Sequence, residues 1–163
     1  MVKFIVKKIE NKTTSKKVAK KPKPKTAKLG RKGITPATLA QLVGEGYSCQ
    51  KVEYWNSFAK PFGKRVDFFN CIDVIGCHGI KRETIGVQST SRTAVSARLK
   101  KIRELFQYRV KDHTNRVEDW LRAGNKLEVW GWDKSANRRR VLKVRLALTV
   151  SGELIEKERV ELT

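Results

Sequence analysis

Residues 66–91 contain two apolar runs, 68–77 and 84–87, which a polar turn separates. Two such runs around a turn predict a hairpin of two buried strands. The first run is interrupted by Asp73. A carboxylate inside an apolar strand costs several kcal/mol unless a charge or a metal compensates it, since even a neutral polar group costs roughly 2–7 kcal/mol. The sequence therefore predicts a partner for Asp73 in the folded chain.

The second run ends in two polar side chains that could supply this partner. Gln88 and Thr90 lie two residues apart, so they point to the same face of their strand, and an antiparallel neighbour can bring Asp73 beside them. A carboxylate, an amide oxygen and a main-chain carbonyl make a set of hard oxygen ligands suited to Mg²⁺. The alternative is a salt bridge between Asp73 and an arginine, with Gln88 only completing the strand end. Both interpretations are open at this point.

Several different short motifs lie along residues 35–148, namely Ile72-Asp73, Gln88-Ser89-Thr90 and the segments 52–56, 65–69, 120–124 and 129–132. Together they resemble the PD-(D/E)XK nuclease superfamily, and in particular small phage and bacterial endonucleases of the Holliday junction resolvase type. The chain departs from the family pattern at two positions, because Gln88 and Thr90 stand where the family has Glu and Lys. The resemblance implies a restriction-endonuclease-like core of order αβββαβ.

The resemblance also implies an activity and a set of site residues. The activity is metal-dependent hydrolysis of phosphodiester bonds in DNA, with branched or junction DNA among the candidate substrates. Mg²⁺ or Mn²⁺ would be the cofactor, and no small-molecule cofactor is expected. Asp73, the side-chain oxygen of Gln88 and the carbonyl of Ser89 would hold the ion. Thr90 would orient the attacking water or contact the phosphate, and Glu53 would assist the metal.

Two other classes of function fit the same residues. A nuclease fold without the family's Glu and Lys could bind nucleic acid without cutting it, and a basic structural protein of nucleoprotein particles would have a similar charge. The net charge of +21, from 37 basic and 16 acidic residues, favours nucleic acid as the partner in every case. The physical reason is that each neutralised phosphate adds affinity by counterion release. Charge alone therefore does not separate an enzyme from a binding protein.

Residues 1–33 form a distinct basic segment. They contribute more than half of the net positive charge and contain few apolar residues to bury. This composition predicts a disordered arm in front of an α/β domain that spans residues 34–163. As a function it predicts binding to phosphates without sequence specificity, and the alternative is a tail that only keeps the protein in solution.

Two further stretches are predicted to contact the nucleic-acid backbone. The first is the basic loop at residues 56–65, and the second is a helix over residues 91–108 that Ser91 would cap. This helix starts directly after the proposed metal site, so its free amides and first arginines would face a phosphate. Arg98 or Lys101 could also supply the positive charge that Thr90 lacks. The predicted contacts are Lys60, Lys64, Arg65, Ser91, Arg92, Arg98 and Lys101.

The rest of the chain alternates helices and strands. A first helix would have Thr35 as its cap and Pro36 as its first residue. A second helix is predicted at residues 115–123, and strands are predicted at residues 47–55, 126–133, 139–150 and 153–162. Trp130 and Trp132 would pack in the core on the face opposite to Leu127. This order of elements predicts an α/β sandwich with a mixed central sheet flanked by helices.

Two other acids are candidates for the metal site. Glu45 lies between two glycines near the end of the first helix and is the alternative to Glu53. Asp67 stands six residues before Asp73, and a regular strand would separate the two by about 20 Å at ~3.3 Å per residue. We therefore predict that Asp67 binds a nearby basic group rather than the same ion as Asp73.

Two observations bear on where the protein works. No apolar stretch approaches the roughly 18 residues of a membrane-spanning helix. The three cysteines, Cys49, Cys71 and Cys77, make an odd count, which is typical of a reducing compartment. We expect a soluble protein in the cytoplasm of a bacterial or phage-infected cell, without a membrane partner. A two-fold symmetric substrate would favour a homodimer.

Overall fold

The computed structural model describes residues 33–58, 61–107, 115–133 and 140–162. The predicted basic arm, apart from Gly33, lies outside the described residues, and so does the predicted nucleic-acid contact Lys60.

A six-stranded mixed sheet forms the centre of the fold. Along the chain the strands are β1 (Ser48–Lys51), β2 (Tyr54–Asn56), β3 (Lys64–Val66), β4 (Val74–His78), β5 (Glu83–Ser91), β6 (Lys126–Trp132), β7 (Val141–Leu148) and β8 (Leu154–Leu162). The sheet has the order β1-β4-β5-β6-β7-β8, in which β5 and β6 are parallel and every other neighbouring pair is antiparallel. Strands β2 and β3 form a separate antiparallel hairpin. The mixed sheet confirms the predicted α/β class.

Helices pack on both faces of this sheet. They are α1 (Ile34–Gly44), α2 (Val95–Gln107) and α3 (Arg116–Arg122), and a 3-10 turn (Arg92–Ala94) leads into α2. Leu42 of α1 packs with Val87 on one face, whereas Leu99 of α2 and Val117 of α3 pack with Val129 on the other. Among the helices that the structure describes, none combines the length and the apolar character needed to cross a membrane.

Strand β6 shows how the sheet divides the core into two layers. Because side chains alternate along a strand, Leu127 and Val129 point to the α2 layer, and Trp130 and Trp132 point to the α1 layer. Trp130 is fully buried and Trp132 is 2% exposed, as expected for core residues. The predicted packing role of the two tryptophans is therefore confirmed.

Of the two predicted helix caps, Thr35 is wrong in position, and Ser91 occupies the N-cap position of the 3-10 turn without making a capping hydrogen bond. Helix α1 begins at Ile34, after Gly33, so Thr35 lies within its first turn and its hydroxyl donates to Oε1 of Glu53 at 3.4 Å. Ser91 is the last residue of β5, and its hydroxyl contacts that of Thr93 at 3.2 Å without capping a backbone amide. Both hydroxyls find side-chain partners, and these partners compete with the backbone bond that a cap requires.

Two predicted strands are interrupted. The run 68–77 is not one strand, because Phe69 and Asn70 have positive φ angles of 51° and 62°, and β4 begins only at Val74. The run 47–55 divides into β1 and β2 around Glu53, which belongs to neither strand. Both interruptions lie next to the site described below. Glu53 stands at one of them, and Asp73 directly precedes β4 at the other.

Candidate metal centre

Three carboxylates from separate parts of the chain meet at one end of β4. Glu53, Asp67 and Asp73 each bring a carboxylate oxygen within 4.8 Å of the others, a spacing that could hold a metal ion. Glu53 lies between β1 and β2, Asp67 directly follows β3, and Asp73 directly precedes β4. Their side chains are sheltered, since that of Glu53 is 5% exposed and that of Asp67 is 14% exposed. Like charges this close in a sheltered site need compensation by cations or protons.

The position of Asp67 corrects the sequence prediction that it lies about 20 Å from Asp73. The chain does not continue as a strand between them. Instead, Phe68 and Ile72 exchange two backbone hydrogen bonds of 2.9 Å each, and the chain reverses through Phe69 and Asn70. This reversal returns Asp73 to the side of Asp67. The available signal was Asn70, because asparagine tolerates the left-handed conformation that a tight turn needs.

Asp73 is held by hydrogen bonds from strand β5. Its Oδ2 accepts from Nε2 of Gln88 at 2.6 Å and from the backbone amide of Ser89 at 2.8 Å. Burial is the main reason that the pKa of Asp73 rises from its ordinary value of 3.8 to about 7, with a smaller contribution from the negative charges of Asp67 and Glu53. No ion pair joins Asp73 to a lysine or arginine within the described ranges. The alternative of an arginine partner for Asp73 therefore does not describe this site.

The other end of the Gln88 amide has an unusual environment. Oε1 of Gln88 is buried and accepts no hydrogen bond from any described residue. A buried acceptor without a partner costs about 1–3 kcal/mol, so such an atom calls for a ligand. An amide oxygen beside carboxylate oxygens is a donor set that divalent cations of the Mg²⁺ type prefer. The residues present thus fit a hard divalent cation.

Two of the three carboxylates already have cationic neighbours. Nζ of Lys51 lies 2.9 Å from Oε1 of Glu53, and a guanidinium nitrogen of Arg65 lies 3.3 Å from Oε2 of the same residue. Nζ of Lys101 lies 3.4 Å from Oδ2 of Asp67. The three cations reach the acidic group from β1, β3 and α2. They bring positive charge close to the acidic group.

The acidic group opens into a cavity of about 730 Å³. Thr90, which is 5% exposed, lines this cavity together with the half-buried Arg98. Arg98 has no hydrogen bond or ion pair to another described residue, so its charge is available to a ligand. The remaining lining residues come from the first half of α1 and the residue before it, from the strands β1, β3 and β5, and from the end of the 3-10 turn; they are Gly33, Ile34, Thr35, Pro36, Leu39, Lys51, Arg65, Ser89, Ser91 and Ala94.

Other candidate residues lie outside this arrangement. Arg92 makes a bidentate ion pair with Glu161 of β8, in which Nη2 donates to Oε2 at 2.9 Å. A carboxylate therefore already pairs with its charge. Lys64 is exposed on β3 and does not line the cavity. Glu45, the alternative to Glu53, pairs with Lys143 and is not part of the acidic group.

Ser89 makes two polar contacts inside the protein. Its backbone amide binds Asp73, and its hydroxyl donates to Oγ1 of Thr38 at 2.9 Å. The same Oγ1 accepts from Nε1 of Trp132 at 2.8 Å, which ties α1 to β5 and β6 through one buried atom. A metal contact by the carbonyl of Ser89 stays a prediction.

No protein-family model matches the chain, and no curated protein or solved structure is significantly similar to it. The function must therefore be inferred from the site itself.

Proposed function

We propose that this protein is a metal-dependent nuclease of the PD-(D/E)XK type that uses Mg²⁺, or Mn²⁺, to hydrolyse phosphodiester bonds in DNA. The observation that carries the proposal is the convergence of Glu53, Asp67 and Asp73 in a cavity that Gln88 also lines, together with an amide oxygen of Gln88 that has no hydrogen-bond partner among the described residues. The order α1, β1, β4, β5, α2, β6, with the β2–β3 hairpin and α3 as additions, agrees with the αβββαβ core of that superfamily.

The ligand set of the proposed ion follows from the charges of the site. Asp73 is the central ligand because it is the one member of the acidic group without a cationic partner among the described residues. Asp67, Glu53 and Oε1 of Gln88 would complete the oxygen donors. A divalent ion bound here would stabilise negative charge on a phosphate and lower the pKa of an attacking water.

The chain's own groups would hold and polarise the phosphate. Lys101, which contacts Asp67, would supply the positive charge that Thr90 cannot supply. Arg98 lines the cavity with a guanidinium that pairs with no other described residue, which suits a phosphate oxygen. The hydroxyl of Thr90 can donate to a phosphate or orient a water. The net charge of +21 makes DNA binding strongly dependent on salt, whatever the sequence of the DNA.

A second candidate is a protein of the same fold that holds nucleic acid without cutting it. The observation that favours it is the pairing of Glu53 with Lys51 and Arg65, and of Asp67 with Lys101. These ion pairs compensate two carboxylates without a metal. Under this alternative, Asp73 stays protonated near neutral pH and no cation enters the site.

A cleavage assay separates the two candidates. The purified protein is incubated with linear and branched DNA in Mg²⁺, in Mn²⁺ and in a chelator, next to Asp73→Asn and to Asp119→Asn, an exposed control on α3. We expect cutting by the wild type and by Asp119→Asn, and a loss of at least about 100-fold in Asp73→Asn with DNA binding retained. Equal cutting by Asp73→Asn would show a contaminant. A wild type that binds DNA and never cuts it would support the second candidate.

A further inference from the structure

The β2–β3 hairpin gathers aromatic side chains on the surface beside the acidic group. Trp55 is 62% exposed, Tyr54 is 59% exposed, and Phe58 and Phe62 are about 90% exposed. Within the described ranges, every exposed large aromatic side chain belongs to this hairpin and its loop. Folded proteins rarely leave such a group in water unless it binds something.

Trp55 has a defined place next to the cavity. It pairs in register with Arg65, so the two side chains share one face of the hairpin. The guanidinium of Arg65 in turn reaches Glu53 at 3.3 Å. Arg65 therefore lies between the exposed indole of Trp55 and the carboxylate of Glu53 in the proposed metal site.

Gly63 supports the indole from below. A Cβ at Gly63 would lie 2.6 Å from Cζ2 and 2.9 Å from Nε1 of Trp55, so the ring lies against the glycine backbone. Gly63 also has a φ of +77°, a conformation that disfavours any side chain. The indole thus lies against the backbone at Gly63 while 62% of Trp55 stays exposed, which makes it a preformed stacking platform.

The charges around this platform indicate an anionic ligand. Residues 54–66 contain lysine and arginine but no aspartate or glutamate. Arg65 lies on β3 opposite Trp55, whereas Lys64 lies opposite Asn56 and points to the other face of the hairpin. Aromatic rings between cations are typical of surfaces that bind single-stranded nucleic acid, where bases stack on the rings and phosphates follow the cations. An apolar partner would not require the basic residues.

We propose that the β2–β3 hairpin binds unpaired nucleotides, with a base stacked on Trp55 and an adjoining phosphate held by Arg65. This inference rests on the proposed function only for its consequence for catalysis. A stacking platform one residue pair from the metal site selects substrates that have unpaired nucleotides next to the cleaved phosphate. Fully paired, unbranched DNA would be the poorer substrate.

Binding is measured without metal, so that its outcome is independent of cleavage. The full-length protein in a chelator is titrated with oligothymidylate and with oligouridylate of about 15 nucleotides, and with a duplex of equal length. Changes of the tryptophan emission on binding report mainly on Trp55, because a base cannot reach the buried Trp130 and Trp132, and Trp120 is half-buried. We expect the single strands to quench this emission and to protect it from acrylamide. Quenching by one strand type alone identifies the ligand as DNA or as RNA.

Variants separate the contribution of base stacking to single-strand binding from that of electrostatics. Trp55→Ala should weaken single-strand binding about 5- to 100-fold with an unchanged salt slope, the cost of losing one stacked base. Arg65→Gln should flatten the salt slope by about 0.7 for one lost phosphate contact. Gly63→Ala, which keeps every charge and displaces the indole, should resemble Trp55→Ala. Ile80→Ala, an exposed change in the turn between β4 and β5, is the control and should match the wild type.

Defined results would overturn the proposal. A wild-type emission that no single strand quenches would do so without any variant, and therefore independently of how well the variants fold. Equal affinity of Trp55→Ala and wild type would do the same. So would a shift of Trp55 emission on anionic lipid vesicles combined with none on oligonucleotides. If single strands quench the tryptophan emission but the protein never cuts DNA, the result would support nucleotide binding by the β2–β3 hairpin and refute the proposed nuclease activity.

Discussion

Nε2 of Gln88 donates to Oδ2 of Asp73 at 2.6 Å, whereas Oε1 at the other end of the same amide is buried without a partner among the described residues. The contact with Asp73 fixes the orientation of the amide, because reversing it would set two oxygens against each other. The free oxygen is thereby left for a ligand that accepts electron pairs. A hard cation next to Asp73 satisfies both residues at once.

The first prediction concerns pH in the absence of metal. The folded-state pKa of Asp73 is about 7, above its ordinary value of 3.8, so the folded protein binds this proton more tightly than the unfolded chain does. The resulting stabilisation is complete below pH ~4 and is lost as the pH rises through ~7. Relative to that of Asp73→Asn, the free energy of unfolding of the wild type should fall by on the order of 4 kcal/mol between these limits.

The measurement is urea unfolding in a chelator across that pH range, with Asp119→Asn as the control. The control should follow the wild type. If the free energies of unfolding of the wild type and of Asp73→Asn changed in parallel with pH, the carboxylate of Asp73 would be ionised throughout this range.

The second prediction concerns Gln88→Glu, which places a fourth carboxylate next to Asp73. Without metal the new charge faces Asp73, and unfolding should become easier by about 3–5 kcal/mol at pH 8, the cost of an uncompensated buried charge. With millimolar Mn²⁺ most of this loss should disappear, because the ion binds the folded state. Thermal unfolding with and without Mn²⁺ tests this, with the exposed Gln50→Glu as the control. An equal loss in both conditions would argue against a cation at this position.

The third prediction concerns the buried hydroxyl of Thr38. Its Oγ1 accepts hydrogen bonds from Ser89 and Trp132, and Thr38→Val leaves both donors without a partner. We expect a loss of about 2–4 kcal/mol in the free energy of unfolding, since each buried unpaired donor costs about 1–3 kcal/mol. Denaturant titration provides the measurement, and Thr93→Val on the exposed 3-10 turn should change stability by less than about 0.5 kcal/mol. A stable Thr38→Val would mean that water reaches these groups.

The fourth prediction concerns Lys101, the cation that contacts Asp67. If it supplies the positive charge next to the cleaved phosphate, Lys101→Gln should reduce the rate of cleavage about 100-fold at saturating DNA. The neighbouring Lys100→Gln changes the same charge on an exposed side chain and should act like the wild type. Single-turnover cleavage of labelled DNA compares the two variants. Equal rates for both would assign Lys101 a structural role only.

Part of this site could be predicted from the sequence. The apolar context of Asp73 predicted that it would need a partner, and the two-residue spacing of Gln88 and Thr90 placed them on one face of their strand. Gln88 does contact Asp73, and Thr90 lines the same cavity. The alternation in β6 also predicted the two layers of the core. These features depend on local periodicity, which a single sequence records directly.

The rest of the site depends on where the chain turns. Asp67 was excluded because six residues of regular strand would carry it away from Asp73, and the reversal at Phe69 and Asn70 cancels that distance. The pairing of Lys101 with Asp67 brings together residues 34 positions apart, which no local pattern encodes. Arg92 looked available in the sequence, but the packing of β8 places Glu161 against it.

The most direct test of the central claim is anomalous diffraction from crystals of the protein soaked in Mn²⁺. We predict a manganese peak in contact with the carboxylate of Asp73 and with Oε1 of Gln88, with Asp67 or Glu53 among the other ligands, and no peak in Asp73→Asn crystals. The opposite result is an empty site in which Glu53 and Asp67 keep their ion pairs with Lys51, Arg65 and Lys101 and Asp73 binds no cation. That result would contradict metal-dependent hydrolysis by this protein.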